Sequence, residues 1–144
     1  VPAPHRGEVV AIARGVRFVD DSKATNPHAT LAAVNDRIGV VLIAGGDAKG
    51  VDLSPIGQVA ERLAGVVAIG ASADDIVSIF DGRVPTRKAG SVEEAARTAF
   101  EIAPDGGTVL LAPGCASWDM FRDYEERGER FTRAARELER TASA

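Results

Sequence analysis

"FVDDSKATNPHATLAAV", residues 18–34, runs from a strand-like stretch straight into a cluster of polar side chains, and then into a helical pattern opened by Pro27. Proline suits the first turn of a helix, because the N–H it lacks would have no partner there. The stretch reads as strand, loop and helix, the unit from which layered α/β folds are built. A plain connector needs only a glycine or an N-cap. Asp20, Asp21, Ser22, Lys23, Thr25 and Asn26 exceed that need and mark the junction as a place where something is bound.

The same alternation extends in both directions. "EVVAIA" (8–13) and "GVRFVD" (15–20) flank Arg14-Gly15 and predict a hairpin with Gly15 in its turn. The helix opened by Pro27 is expected to reach about Asp36. "VVLIAGG" (40–46) is a short continuous apolar run, as in a strand buried on both faces. Ser54-Pro55 opens a helix to about Leu63, "VVAIG" (66–70) is a strand, 73–80 a helix and 86–89 a short strand. Ser91 with Glu94 forms a capping box at the next helix start. "GTVLLAPG" (107–114) is a further buried strand, and a long helix is expected from about Ser117 to the C-terminus. Its seam of Phe121, Tyr124, Gly128, Phe131, Ala135 and Leu138 faces the sheet, leaving Arg122, Glu125, Glu126, Arg130 and Arg133 to solvent. The expected fold is α/β: one domain over 1–144, a Rossmann-like, mostly parallel sheet with helices on both faces, an N-terminal hairpin and a long C-terminal helix.

Composition narrows the function. The 144 residues are 45% apolar and 26% charged, ordinary for a globular protein. A net charge of −4 offers no electrostatic case for nucleic acid or an anionic membrane as partner. No apolar run approaches the ~20 residues of a membrane span. The one cysteine, Cys115, cannot form an internal disulfide and suits a reducing cytoplasm. The opening "VPAPHRGEV" has no methionine and no signal-peptide pattern, and reads as a cut from a longer chain. Of the 17 basic residues only Lys23, Lys49 and Lys88 are lysines. Lys23 and Lys49 sit in polar or glycine-rich loops after strands, where an ammonium serves as a compact point charge for an anion; Lys88 reads as a surface residue.

Ligands of such sheets bind beyond the carboxyl ends of the strands. Three stretches fall there: "DDSKATN" (20–26), "GGDAKG" (45–50) and "APGCASWD" (112–119). "GGDAKG" is neither a P-loop nor G-x-G-x-x-G, so the chain has no recognised phosphate cradle of its own. By itself the loop is equally well a tight turn with an incidental lysine. Ser117 is placed at the N-terminus of the last helix, where free N–H groups favour a carboxylate or phosphate, though a plain N-cap reads the same way. Cys115 has no histidine near it in sequence and reads as a small buried thiol.

Taken together, "PHRGEVV", "DDSKATNPHAT", "IAGGDAKGVDLSPI" and "LLAPGCASWDMFRDYEERGERFTRAARELE" resemble, in order and over nearly the whole chain, the C-terminal third of the bacterial Mur ligases. The "P-x-CASWD-x-F-x-x-Y-x-x-RG-x-x-F" block points to the D-glutamate-adding branch. The resemblance implies a step of cytoplasmic peptidoglycan synthesis. ATP phosphorylates the carboxylate of UDP-MurNAc-L-alanine, and the amine of D-glutamate attacks the acyl phosphate. It also implies that ATP, Mg2+ and the UDP-sugar are held by two upstream domains, and that the present one binds D-glutamate and closes over ATP. Catalytic residues and metal ligands are then not expected within this chain. By motif, Thr25 and Lys49 would hold the side-chain carboxylate of D-glutamate. Ser117, with backbone near Tyr124, would hold the α-carboxylate. Asp21 would face the ribose and Lys23 the phosphates, with His5 and Arg6 at the hinge beside adenine and phosphates. Two departures are Tyr124, where phenylalanine is common, and Gly114, where alanine is usual and a looser turn is expected. Rival readings are the equivalent domain of another Mur ligase or of a folylpolyglutamate synthetase, and a stand-alone Rossmann-like binding module.

Overall fold

The computed structural model describes residues 3–35 and 37–143. Strands β1 (Glu8–Ala13) and β2 (Val16–Asp20) form an antiparallel hairpin, with Arg14 and Gly15 both at positive φ in its turn. Next come α1 (Pro27–Val34), β3 (Val40–Gly45), a 3₁₀ helix (Ser54–Arg62) and β4 (Leu63–Ile69). The chain continues through α2 (Ala73–Phe80), β5 (Thr86–Lys88), α3 (Val92–Ile102), β6 (Thr108–Leu111) and α4 (Tyr124–Ala142). The six strands form one sheet in the order β1-β2-β6-β3-β4-β5, parallel except at the β1–β2 edge. This is the α/β architecture expected from the sequence.

Period-two alternation divides the core between the two faces of the sheet. Val19, Val40, Leu42, Ala44, Val66 and Leu110 pack with Val34, Ile56, Ile76 and Phe80 on one side. Phe18, Val41, Ile43, Val67, Val109 and Leu111 pack with Val92, Ala96, Phe131 and Ala135 on the other. Strand β3 is buried along its whole length, which explains its uninterrupted apolar run.

Four local expectations need correction. The segment after Ser54-Pro55 is 3₁₀ rather than α-helical. Strand β4 begins at Leu63, three residues before "VVAIG". Helix α1 ends at Val34, and Asp36, the expected end, lies outside the described residues. The fourth bears on function. The last helix begins at Tyr124, not near Ser117. The Ser117 carbonyl accepts the N–H groups of Met120 and Phe121 in a single turn that does not continue. The chain then extends at Asp123, whose carboxylate caps the Glu126 N–H at 2.8 Å. Glu126 returns the favour to the Arg122 N–H, as Glu94 does to the Gly90 N–H in front of α3, where the Ser91 cap is found as expected.

Gly114 does not loosen its turn. Its φ is +71°, and its N–H donates to the Ala24 carbonyl at 2.8 Å. A Cβ there would lie 2.8 Å from Thr30 Oγ1 and 3.0 Å from Ile56 Cδ1. Left-handed backbone costs an L side chain about 1–2 kcal/mol before any collision. Gly114→Ala is therefore expected to destabilise the chain by at least ~1 kcal/mol, read as a lower urea midpoint with an unchanged m-value. An unchanged midpoint would show that the turn has slack.

Candidate functional site

The strand order decides which loops meet. Because β6 lies between β2 and β3, the 112–119 loop sits between the 20–26 and 45–50 loops at the carboxyl edge. Backbone hydrogen bonds stitch the three together. The Gly114 N–H reaches Ala24 O, the Gly45 N–H reaches Pro113 O, and Asp47 and Ala116 exchange a pair of bonds, each 2.9 Å. The antiparallel hairpin pairs Glu8 with Asp20, which brings His5 and Arg6 to the same edge.

At the centre of this edge stands Arg127 of α4, fully buried. Its Nε donates to Ser22 Oγ at 2.9 Å, Nη2 to Ser22 O at 2.6 Å, and Nη1 to Cys115 O at 3.1 Å. The Ser22 hydroxyl in turn donates to the Tyr124 carbonyl at 2.6 Å. One guanidinium thus joins the 20–26 loop, the 112–119 loop and the final helix. Burial pulls its pKa down to about 10, against the longer-range pull of Cys115, Asp119 and Asp20, so it stays charged at neutral pH. Arg127 was not singled out in sequence. The available signal was its place beside Gly128, between Tyr124 and Phe131 on the buried stripe.

Gly128 has its own role. A Cβ on it would fall 2.7 Å from Asp20 Oδ2 and closer still to His5 Nδ1. The bare backbone leaves room for Asp20, itself fully buried, to accept from the Ser22 N–H at 3.0 Å and to bond His5 Nδ1 at 2.6 Å. His5 is therefore fastened by Asp20, and its ring stands edge-on to Tyr124 at 6.1 Å.

Of the residues assigned to a nucleotide, Arg6, Asp21 and Lys23 line one open cavity of about 480 Å³. Arg37, which sequence reading passed over, lines it too. Burial raises the Asp21 carboxyl above its ordinary range; Arg37 and Arg6 oppose the shift and Asp20 adds to it. Lys23 is exposed, with Nζ 5.3 Å from the Tyr124 ring centroid and 3.4 Å from its hydroxyl.

Of the residues assigned to D-glutamate, Thr25, Lys49 and Ser117 stand on the three neighbouring loops. Thr25 is exposed; Ser117 is buried, and its expected place as helix N-cap is overturned because α4 starts at Tyr124. Lys49 holds φ +51°, its N–H capped by Asp47 Oδ1 at 3.0 Å, and its ammonium lies 3.6 Å from the centroid of the exposed Trp118 ring. Tyr124 keeps different company, touching Lys23 and His5. As a first-turn residue of α4, its N–H has no partner within the helix.

Cys115 is buried against Ser72 Oγ at 3.5 Å, and burial raises its thiol pKa, the environment of an inert thiol. Arg130, expected in solvent, instead makes a bidentate pair with Glu93 at 2.8 Å for both bonds and lies over the Phe121 ring. That pair joins α3 to α4. Among the described residues no group of three or more His, Cys, Asp or Glu is placed to hold a metal ion, and no helix is long and apolar enough to cross a membrane.

Comparison with known proteins adds the following. Residues 5–115 match the family described as Mur ligase, glutamate ligase domain. The UDP-N-acetylmuramoylalanine--D-glutamate ligase of Nitrosomonas eutropha is 45% identical over 139 residues, an alignment covering 94% of this chain and 30% of that protein. The chain thus spans about 30% of the length of the curated relatives it matches. Among solved structures, the bifunctional folylpolyglutamate synthase/dihydrofolate synthase of Yersinia pestis superposes with TM-score 0.66 at 22% identity, over 92% of this chain and 31% of that one. The MurF ligase of Thermotoga maritima in complex with ADP superposes with TM-score 0.57 at 22% identity, over 94% and 32%.

Two predictions follow from this geometry. Arg127→Lys replaces a planar three-way donor by a single ammonium and strands buried acceptors, at about 1–3 kcal/mol each. Its unfolding free energy should fall by an amount on the order of 3 kcal/mol, read as a lower urea midpoint; a midpoint equal to wild type would remove Arg127 from its central position. For Asp21 the folded pKa is raised, so the native state binds its proton more tightly than the unfolded chain does. Its ionisation costs stability progressively as pH rises from 3.8 through the raised value. Asp21→Asn should accordingly raise Tm at pH 7, with the gain fading as pH falls towards 3.8. A lower Tm at pH 7 would mean that Arg6 and Arg37 need the carboxylate more than burial penalises it.

Proposed function

The chain belongs to the Mur ligase glutamate ligase domain family, and from that premise we propose that it is the C-terminal, amino-acid-binding domain of a cytoplasmic ligase that adds D-glutamate to UDP-MurNAc-L-alanine in peptidoglycan synthesis. The observation that carries this reading is a pair of separate cationic centres on one sheet edge. Arg6, Lys23 and Arg37 surround the cavity beside β2, and Lys49 stands beyond β3. These loops follow strands two places apart, about 10 Å at the usual strand spacing of ~4.8 Å. That separation suits two different anions, a nucleotide and a dicarboxylate.

The donor set fits both. Arg6 and Lys23 offer the cations that phosphates need, Arg37 adds a third, and Asp21 offers an acceptor for a ribose hydroxyl. Lys49 and Thr25 take the side-chain carboxylate of D-glutamate, and Ser117 with the Tyr124 N–H takes its α-carboxylate. His5, fastened to Asp20, sets the chain direction where an upstream domain would join. The name of the Thermotoga maritima neighbour records a complex with ADP, in keeping with a nucleotide-dependent family. ATP supplies the phosphoryl group that activates the UDP-MurNAc-L-alanine carboxylate, and the amine of D-glutamate then displaces phosphate to form the amide. This chain's part is to bind and orient the amino acid and to cover the nucleotide. Mg2+ would arrive with the nucleotide and the central domain.

Alone, the 144-residue chain is expected to show neither ATP hydrolysis nor amide formation; turnover above a buffer control would overturn the domain assignment. In the full-length ligase, Lys49→Ala should raise the KM for D-glutamate about 10- to 150-fold, the loss of one charge-assisted bond of ~1.5–3 kcal/mol. The KM for ATP should change far less. Weakened ATP binding with an unchanged KM for D-glutamate would move Lys49 to the nucleotide.

A further inference from the structure

Trp118 is the chain's one tryptophan, and it is 67% exposed. A large aromatic ring left in water beside a proposed ligand site calls for a reason. The Lys49 ammonium lies 3.6 Å from its ring centroid, which is close for a cation over an indole face. The two residues lie on different loops, and the backbone of each is tied down. The Asp47–Ala116 bond pair joins the loops, and the Asp47 carboxylate caps the Lys49 N–H at 3.0 Å. The Ser117 carbonyl accepts from Met120 and Phe121, and the Asp119 carboxylate accepts from the Ala71 N–H at 2.8 Å. Trp118 is thus flanked on both sides by anchored residues.

A free lysine side chain samples many rotamers, and a ligand that captures it must meet the cost of freezing them. An indole face reduces that cost in advance. It attracts the charge through its quadrupole and accepts N–H bonds only weakly, so the ammonium keeps donors for a stronger acceptor. We infer that Trp118 is a positioning residue that holds the Lys49 ammonium ready for a carboxylate ligand. This deepens the proposed function and rests on its reading of Lys49 as a carboxylate ligand.

A double-mutant cycle in the full-length ligase tests it. Trp118→Ala should raise the KM for D-glutamate about threefold to tenfold, and the KM for ATP less than about twofold. Trp118→Phe, which retains a π face, should recover most of the loss. In a Lys49→Ala background Trp118→Ala should add nothing, because the ring then has no cation to hold. Additive effects would overturn the inference by showing that Trp118 acts without Lys49. So would a KM for D-glutamate that Trp118→Ala leaves unchanged while Lys49→Ala raises it; the role of Lys49 would then stand. If Lys49→Ala itself leaves that KM unchanged, the underlying reading fails and the inference with it. The 144-residue chain gives a second readout. Its single-tryptophan emission should change on Lys49→Met and not on Lys88→Met, since Lys88 pairs with Asp74. Identical emission from the wild type and Lys49→Met would overturn the pair.

Discussion

A buried arginine with no carboxylate among its hydrogen-bond partners in the described residues holds the carboxyl edge of the sheet together. Among those residues Arg127 donates to neutral oxygens, one hydroxyl and two carbonyls. Burying such a charge is expensive, and the depressed pKa records the expense. The arrangement persists because a planar guanidinium can satisfy several acceptors at fixed angles, which an ammonium cannot. Its acceptors are not interchangeable. Ser22 belongs to the loop after β2 and Cys115 to the loop after β6, while Arg127 itself rides on α4. If any one of these shifts, the other two lose their register.

Around that centre the polar residues divide between those tied internally and those left facing outward. Asp20 is used internally, by His5 and the Ser22 N–H. Ser22 is used by Arg127 and Tyr124. Asp119 and Ser72 fasten the loops after β6, β4 and β3 to one another through Ala71 and Gly46. What is left facing outward is Arg6, Asp21, Lys23, Thr25 and Lys49. The crowded junction at 20–26 is therefore two sets of residues interleaved, with the first and third turned inward and the second and fourth turned outward. The close approach of α4 at Gly128 makes this possible, since any side chain there would displace Asp20 and His5.

The architecture was legible in the sequence because burial and periodicity are local signals. The continuous run of β3, the hairpin signal at Arg14-Gly15, the capping box at Ser91 and the proline at the start of α1 each carried their own reading. Errors arose where a local signal was ambiguous. Ser117 looks like an N-cap, yet its carbonyl closes an isolated turn and Asp123 caps the helix instead. Arg130 looks solvated, yet Glu93 reaches it from another helix. Both cases turn on a partner distant in sequence or on a choice between two nearby caps.

From its sequence alone this protein declares the order and type of its elements, the three polar loops after its strands, and the motif series that resembles the Mur ligases. Each of these is written within a short window of residues, where hydrogen bonding along the backbone and hydrophobic period act directly. The tertiary structure decided the rest. It inserted β6 between β2 and β3, so that the 112–119 loop lies between the other two. It sank Arg127 beneath them and set Trp118 against Lys49. These pairings join residues 69 to 105 positions apart, counted from Lys49 to Trp118 and from Ser22 to Arg127. No local preference encodes such distances; the strand order that brings them together is chosen by how both faces of the sheet are covered at once.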